Sequence, residues 1–470
     1  MNKKYALALM ALCCTGTAFT QTLQQAKDWF LEGEFAKAKP VFQKLVKQAP
    51  SNANYNFWYG ACCYETGARE EALPYLQMSA KRRVINAYLY VARLYNDMYR
   101  FEDAMENLEL YISMREKKKE DPILGEEEME RSRLGDRMLK GTEKVVVVDS
   151  FVVDKDQFLT AFKLGSQAGT VSMNEDGATT SYTNEMDDKK IITQTSGDGT
   201  ALYSSIRLID RWSTPEPLKG GITEEGTDLN YPFVASDGIT LYYAAKGKES
   251  LGGYDIFVTR YDSESNSYFR PDNMGMPFNS PYNDYMYAID DVHNLGWFAS
   301  DRFQPEGKVC VYVFVPNESK ETYDYENTDL QAIIADASLR SISSTWTDKD
   351  KLRLGKQQLA QVKYAGEEQQ RSKGDFRFVI NDTHIYHTLE DFRSGEAREM
   401  FLQYRQTGKD LAELETSLDK LRTDYSKSNA DGKAQLAPGI LDKEKRVKEM
   451  QEGLARMAKD IRNTELQKIK

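Results

Sequence analysis

The chain has 470 residues, which is too many for one compact core and predicts two or three domains. Hydrophobic residues make up 40% and charged residues 29% of the chain, which is typical of a folded protein in water. The formal net charge of −11 argues against nucleic acid as the main partner.

The first residues indicate a targeting signal. Asn2-Lys3-Lys4 is basic, and Tyr5 to Cys14 is apolar but too short to span a bilayer. Small residues around Ala18-Phe19-Thr20 predict cleavage there, so that residues 1–20 are a signal peptide and the mature protein is periplasmic. The mature protein would be free in the periplasm or peripheral to the outer membrane, and the alternative is a lipoprotein anchored at Cys13 or Cys14. No later stretch is apolar for about 18 residues, so no transmembrane segment is expected.

The three remaining cysteines predict no disulfide framework. Cys62 and Cys63 are adjacent in the sequence, and neighbouring cysteines rarely satisfy disulfide geometry. Together with Cys310 they make an odd number. We therefore expect all three to be small buried residues.

Residues 21–115 contain a helical pattern that recurs about every 34 residues. The recurring positions hold small residues, namely Ala38, Ala72 and Ala104 in one set and Ala26, Gly60 and Ala92 in the other. Their order among aromatic residues and glycines resembles the tetratricopeptide repeat. Three copies are about the minimum for a stable solenoid.

This resemblance implies a concave groove that binds a protein partner. Carried over to this chain, the groove positions of the family are Lys27, Phe30, Phe57, Tyr64, Arg93 and Asn96. A second interpretation is that the aromatic side chains pack the solenoid or contact the next domain. Residues 116–144 are expected to form a capping helix, Glu126 to Lys140, and a linker. The β-branched run from Lys144 to Asp154 then marks a domain boundary.

Beyond this boundary a β-hairpin pattern recurs about every 50 residues. The turns are Met186-Asp187-Asp188, Ala235-Ser236-Asp237 and Ile289-Asp290-Asp291. The strands predicted after them are Lys190 to Gln194, Thr240 to Ala244 and Leu295 to Ala299. Their partner strands are predicted at Ala201 to Leu208, Asp255 to Arg260 and Val309 to Val315.

The second copy carries the clearest likeness to a known repeat. Asp237-Gly238, Leu241-Tyr242-Tyr243 and the run from Gly252 to Phe257 resemble the TolB-like, WD-type β-propeller repeat. The resemblance implies a propeller over residues 145–395, with five or six blades and with Val145 to Val153 helping to close the ring. A weaker copy lies at Asp375 to Leu389, and helices near 329–370 are expected to be an insertion between blades.

Residues 396–470 predict an antiparallel helical hairpin. Its apolar stripes are Leu411, Leu414, Leu418, Leu421 and Tyr425 in one helix and Val447, Met450, Leu454, Met457 and Ile461 in the other. Ser426 to Gly439 is expected to connect the helices. The two stripes bury each other, or one of them contacts a partner.

No catalytic motif is present, so we expect a non-enzymatic protein with no cofactor and no metal site. His384 and His387 fall on opposite faces of a predicted strand, and His293 lies in a turn. Aspartates such as those at Asp187-Asp188 have the oxygen ligands that calcium prefers, but aspartates also close turns. Asp301-Arg302 is the pair that would act in a propeller hydrolase, against the alternative of a structural ion pair.

An export signal, tetratricopeptide repeats and a TolB-like propeller together resemble periplasmic proteins of Bacteroidota. Relatives of that build are associated with outer-membrane machines, including the type IX secretion and gliding system, but this chain lacks their OmpA-like domain. The resemblance implies a scaffold or adaptor that binds envelope or outer-membrane proteins through its groove and propeller face. The alternatives are a hydrolase or glycan-binding protein acting on polysaccharide, and an accessory subunit of an outer-membrane nutrient transporter.

Overall fold

The computed structural model describes residues 23–469 except 198, 209–210, 224–227, 373–375, 377, 382–383 and 429. The predicted signal peptide, with Cys13 and Cys14, lies outside the described residues. The chain divides into two compact units, and the division falls between Val362 and Lys363. Among the residues that the structure describes, no helix has the length and apolar character needed to cross a membrane.

The first unit begins with three antiparallel helix pairs and a single helix after them. These are α1 (23–31), α2 (Phe35–Gln48), α3 (Ala53–Glu65), α4 (Arg69–Lys81), α5 (Ile85–Asp97), α6 (Phe101–Lys117) and α7 (Ile123–Lys140). The turns within the three pairs contain a residue in the left-handed region, with φ of 80° at Gly33, 78° at Gly67 and 60° at Tyr99. The helix α7 is the predicted capping helix.

The small residues of the sequence pattern lie where the paired helices approach. Ala26 and Ala92 are fully buried, and Gly60 occupies the equivalent place in α3. A Cβ atom built on Gly60 would lie 2.7 Å from Cγ of Leu76, so that only glycine allows α3 and α4 to come this close. The N-terminal region is therefore a solenoid of closely packed helix pairs.

The predicted cysteine environment is confirmed. Cys62 and Cys63 lie in α3 inside the solenoid core, and Cys310 lies in a buried strand. Burial raises the pKa of the Cys62 thiol to about 12, with Cys63 adding to the effect. A thiol in this environment behaves as a small apolar residue and not as a nucleophile.

The rest of the first unit consists mainly of β-strands. The strands are β1 (Val146–Asp154), β2 (Thr170–Met173), β3 (Thr180–Thr183), β4 (Lys189–Ser196), β5 (Gly199–Ile206), β6 (Glu216–Pro217), β7 (Asp228–Val234), β8 (Thr240–Lys246), β9 (Asp255–Asp262), β10 (Ser267–Tyr268), β11 (Asp272–Asn273), β12 (Asp284–Asp290), β13 (Leu295–Ser300) and β14 (Lys308–Val315). A short helix, α8 (Phe158–Ala161), lies between β1 and β2.

The strands repeat as predicted. In each of three copies an inner strand (β3, β7 or β12) pairs with the strand after the turn (β4, β8 or β13), which pairs in turn with β5, β9 or β14. Short strands form the outer edge in the first two copies. In the third copy the outer strand is β1, which pairs with β14 from Val146↔Val315 to Asp154↔Lys308. The strand that opens the β-region thus completes its last sheet.

A closed propeller ring is not shown. The strands β2 to β11 form one open sheet, in which parallel bridges at Thr200↔Asp228 and Gly220↔Tyr268 link the first copy to the second. The strands β12 to β14 and β1 form a separate open sheet of four strands. Between these sheets lies an aromatic core in which Phe158 of α8 contacts Tyr231 and Tyr285.

The expected insertion between blades is wrong in its position. The helices α9 (Leu330–Ser338) and α10 (Lys349–Ser372) follow the last strand of the third copy, with the 3-10 turn Ile342–Thr345 between them. Asp348 caps α10, since its Oδ1 accepts hydrogen bonds from the backbone of Asp350 and Lys351. Leu359 packs into the core beside β1, which explains the apolar stripe of this helix.

The predicted fourth blade is also wrong. The strands β15 (Phe378–Asn381) and β16 (His384–Tyr386) pair only with each other among the described strands, and they belong to the second unit. Their apolar side chains pack against the helices of this unit, with the Phe378 and Phe401 rings 4.9 Å apart. The alternation of the sequence predicted the strands correctly but did not reveal what they pack against.

The second unit contains the predicted antiparallel hairpin, α11 (Gly395–Lys427) and α12 (Ala430–Ile469). An ion pair of 2.7 Å between Arg422 and Glu444 joins the helices. The prediction of a connection over Ser426 to Gly439 is wrong, because α12 includes Pro438. The helix continues past this proline because packing along the hairpin outweighs the lost backbone hydrogen bond.

Candidate partner-binding site

The helices α1, α3 and α5 carry the six groove positions taken from the tetratricopeptide resemblance. Lys27 is half-buried and makes no ion pair with a described residue. The Phe30 ring lies 6.4 Å from the Phe57 ring, which is buried. Tyr90, which the sequence reading missed, continues the contact, with its ring 5.8 Å from Phe57 and 5.6 Å from Tyr64. We call Phe30, Phe57, Tyr90 and Tyr64 the aromatic row.

The aromatic row agrees in part with each of the two interpretations, namely partner binding and packing of the solenoid. Phe57 is 5% exposed, so that it packs the solenoid core. Phe30, Tyr64 and Tyr90 are only half-buried and keep part of their surface accessible. Burial raises the pKa of the Tyr64 phenol, which is therefore neutral at physiological pH.

The other two predicted groove residues are already engaged within the protein. Asn96 is fully buried, and its Nδ2 donates to Oε1 of Glu128 at 2.7 Å. Ser132 donates to Oδ1 of Asn96 at 3.0 Å, so that both ends of the amide are used. Arg93 forms an ion pair with Glu128, with Nε and Oε2 3.4 Å apart. Since Glu128 and Ser132 belong to α7, this capping helix covers the α5 end of the groove.

Five charged side chains at this end form what we call the charged joint: Arg69, Arg93, Asp97, Glu128 and Arg131. Nε of Arg69 lies 2.6 Å from Oδ2 of Asp97, and NH1 of Arg131 lies 2.9 Å from Oε1 of Glu128. Burial is the largest influence on Asp97 and raises its pKa, although Arg131 and Arg69 oppose the rise. A carboxylate in such a place depends on its arginine partners.

The charged joint also connects the repeats to the β-region. Nε of Arg131 donates to the carbonyl of Leu251 at 2.7 Å, and NH2 donates to the carbonyl of Pro281 at 3.2 Å. The Arg69 guanidinium lies over the Tyr282 ring, 5.2 Å from its centroid. Sequence reading assigned α7 only a capping role, so that no signal distinguished Arg131 from the exposed arginines around it.

Two buried carboxylates hold the loops that accept these bonds. Asp255 accepts hydrogen bonds from the backbone of Leu251 at 2.9 Å and of Gly252 at 3.0 Å. Asp284 accepts one from the backbone of Ser280 at 2.7 Å and one from Arg302 at 2.7 Å. Both carboxylates are fully buried. Burial raises the pKa of Asp255 to about 7, and the neighbouring Asp284 adds to the effect.

Asp301 and Arg302, which would act in a propeller hydrolase, make the contacts expected of residues with a structural role. Arg302 is fully buried, and it donates to the carbonyls of Pro277 and Phe278 as well as to Asp284. Asp301 accepts hydrogen bonds from Asn283 and from the Tyr285 hydroxyl. A guanidinium enclosed in this way does not reach a substrate, so the geometry favours the structural alternative.

His293 and the aspartate-rich turns have local partners. Nδ1 of His293 lies 2.7 Å from Oδ2 of Asp290, and Asp187 pairs with Arg207. Asp237 accepts hydrogen bonds from the backbone of Ile239 and Thr240, as expected of a turn residue. Within the described part of the chain, no group of three or more histidine, cysteine, aspartate or glutamate side chains is arranged to hold a metal ion.

No protein-family model matches the chain, and no curated protein matches it. Among solved structures, the type III secretion translocator chaperone SycD of Yersinia enterocolitica is 17% identical over 26% of this chain and 88% of its own, with a TM-score of 0.24. MamA is 18% identical over 27% of this chain and 68% of its own, also with a TM-score of 0.24. The Sgt2 TPR domain of Aspergillus fumigatus is 16% identical over 26% of this chain and 80% of its own, with a TM-score of 0.23. Such weak likenesses support no conclusion about function.

Replacing Arg131 by methionine should loosen the attachment of the repeats to the β-region. The variant loses two hydrogen bonds to loop carbonyls and leaves Asp97 and Glu128 with fewer partners, at a cost of about 2–4 kcal/mol. Hydrogen exchange should become faster at the backbone amides of 250–252, 280 and 282. Arg133→Met is the matched control, because Arg133 lies on the same helix but pairs with Glu130 in solvent. Equal exchange in the two variants would contradict the role given to Arg131.

Asp255 should make the stability of the first unit depend on pH. The folded-state pKa of about 7 lies above the ordinary 3.8, so that the stability from this proton is full below about pH 4 and is lost as the pH rises through 7. The free energy of unfolding of the wild type minus that of Asp255→Asn should therefore fall between about pH 4 and pH 8. Urea unfolding followed by the fluorescence of the buried Trp297 measures this difference.

Asp237→Asn is a control for which the difference in the free energy of unfolding should change with pH in the opposite direction. Burial works against the ionised form of Asp237, but hydrogen bonds from Thr240 and Ile239 lower its pKa. Its contribution to stability is present at neutral pH and is lost as the pH falls. The corresponding difference should therefore rise with pH, and a pH-independent difference for Asp255→Asn would show that its carboxyl group does not titrate in this range.

Proposed function

We propose that this protein is a non-enzymatic scaffold that binds a segment of a partner protein in the open half of its repeat groove. The observation that supports this function most directly is the difference between the two ends of the groove. The α5 end is closed by α7 through Glu128 and Asn96, whereas no helix that the structure describes covers Lys27 and Phe30 at the α1 end in this way. Leu31, at the end of α1, is 77% exposed.

The open half has the chemistry of a peptide-binding surface. Half-buried aromatic rings supply apolar contact area at a low cost in conformational entropy, since each ring has only two rotatable bonds. Lys27 adds a positive charge that no described carboxylate neutralises. A segment with an apolar face and an acidic residue would complement both features.

The β-region would act as a platform with a defined position relative to the groove. The buried contacts of Arg131 hold the repeats on the loops of the second and third strand repeats. A partner bound in the groove would then be presented at a fixed place beside the sheets. The likeness of these sheets to blades of TolB-like propellers supports the role of a binding platform. A complete propeller, formed with further chains or segments, is part of the same proposal.

The cellular setting that we propose is the periplasm, with proteins of the outer membrane or cell envelope as partners. It is supported by the basic and apolar pattern of the first residues and by the resemblance to envelope scaffolds of Bacteroidota. The fully buried Arg302 supports the absence of a hydrolase centre at Asp301-Arg302.

Changing the open half of the groove should remove its partners. We expect Lys27→Glu combined with Phe30→Ser to lose at least tenfold in captured partner, because the change reverses one charge and removes one aromatic contact. Purified protein is incubated with detergent-solubilised envelopes, and the bound proteins are quantified by mass spectrometry. Lys44→Glu is the control, because Lys44 is exposed on α2, outside the set of groove positions. Capture that is unchanged in the double variant would contradict the proposed function.

The periplasmic setting predicts a processed chain. The mature protein should begin at Gln21, because cleavage follows the small-residue site before it. Intact-mass spectrometry of the protein isolated from its native envelope fraction measures this. A chain that begins at Cys13 or Cys14 with added acyl mass would show the anchored alternative, and an unprocessed chain in the cytoplasm would contradict export.

A further inference from the structure

A second cleft lies beside the charged joint, on the edge of the repeats and outside their groove. It is bounded by the start of α4, by the turn between α5 and α6, and by α9 with the residues that follow it. Its volume is about 640 Å³, which lies within the range of sites that bind ligands or peptide side chains. The repeats and the β-region therefore build this cleft together.

The wall of the cleft is largely apolar. Leu73 of α4, Met98 of the turn, and Ile334 and Ala335 of α9 line it. Met98 lies in the turn between two repeat helices, and its side chain is 38% exposed instead of being packed in the core. Flexible methionines of this kind adapt to different apolar side chains.

Three arginines also line the cleft, and two of them are oriented by ion pairs. Nε of Arg69 lies 2.6 Å from Asp97, and Nε of Arg100 lies 2.6 Å from Asp103. Each pairing uses Nε, so that the two terminal nitrogens of each guanidinium lie outside the ion pair. An arginine held in this way is preorganised to donate to a second carboxylate.

The third arginine is not held by an ion pair. The Arg340 guanidinium stacks on the Phe303 ring, 4.1 Å from its centroid, and the side chain is exposed. Among the described residues it has no ion-pair partner. Glu70 and Asp97 also line the cleft, and Asp103 pairs with Arg100 beside it, so that the charges of arginines and carboxylates balance in number. Stacking on a ring leaves the edge of the Arg340 guanidinium available for hydrogen bonds to a further carboxylate.

We propose that this cleft binds an acidic segment of a partner protein in which aspartate or glutamate side chains alternate with bulky apolar residues. The carboxylates complement Arg340 and the terminal nitrogens of Arg69 and Arg100, and the apolar side chains cover Met98 and Ile334. This interaction goes beyond the proposed function, because it uses a surface distinct from the groove at Lys27. One partner would bind in the groove, and a second segment would bind at the edge.

The test uses the full-length protein and a fluorescein-labelled peptide in which leucine and aspartate alternate. Fluorescence anisotropy should show binding by the wild type that weakens as the salt concentration rises, because the contacts are charged and solvent-exposed. Arg340→Glu should weaken binding at least tenfold. Arg82→Glu is the matched control, since Arg82 is exposed at the far end of α4, about 20 Å from Arg69 along the helix.

Further variants and one further peptide separate the apolar from the charged contributions to binding. Met98→Asp should weaken binding through the apolar wall, and it keeps the proposal testable if Arg340→Glu fails to fold. In a Lys27→Glu background, which removes peptide binding at the groove, Arg340→Glu should still weaken the remaining binding at least tenfold, and this distinguishes the cleft from the groove. A peptide with asparagine in place of aspartate should bind at least tenfold more weakly. The proposal is overturned if the wild type does not bind, if both peptides bind equally, or if Arg340→Glu binds like the wild type.

Discussion

The guanidinium of Arg131 is the group on which the arrangement of the first unit depends. It donates to two carbonyls of the β-region, at Leu251 and Pro281, and it pairs with the buried carboxylates Asp97 and Glu128 of the repeats. A partly buried cation loses some of its hydration, and only the docked arrangement supplies these acceptors together. The interaction therefore specifies one relative placement of the repeats and the β-region more than it adds to their stability.

The same logic continues into the β-region. The loops that accept from Arg131 have their shape because Asp255 and Asp284 bind their backbone amides in the interior. Asp284 in turn depends on Arg302, which is fully buried and donates to surrounding carbonyls. Buried polar networks of this kind are satisfied only when every member is in place. A partner in the groove would thus meet a platform with one defined geometry.

Local sequence pattern was a good guide where local physics decides structure. The spacing of Ala38, Ala72 and Ala104 predicted the helix pairs, because close packing of paired helices demands small residues at fixed intervals. The turn at Asp237-Gly238 and the strand after it were predicted from turn chemistry and β-branched composition. The pattern was a poor guide at Pro438, where packing of a long hairpin outweighs the usual effect of proline. It also gave no sign that Arg93 and Asn96 bond to a helix more than 30 residues away.

By itself the sequence determined the repeats, the strands and their turns, since these follow from propensity and periodicity within a few tens of residues. Only the tertiary structure decided which end of the groove α7 covers, that β1 completes the third sheet, and that β15 and β16 belong to the second unit. The physical reason is that these outcomes depend on the burial of particular side chains against distant partners. The environment of Arg131 is made by Leu251 and Pro281, which lie 120 and 150 residues further along the chain. No local pattern records such a meeting.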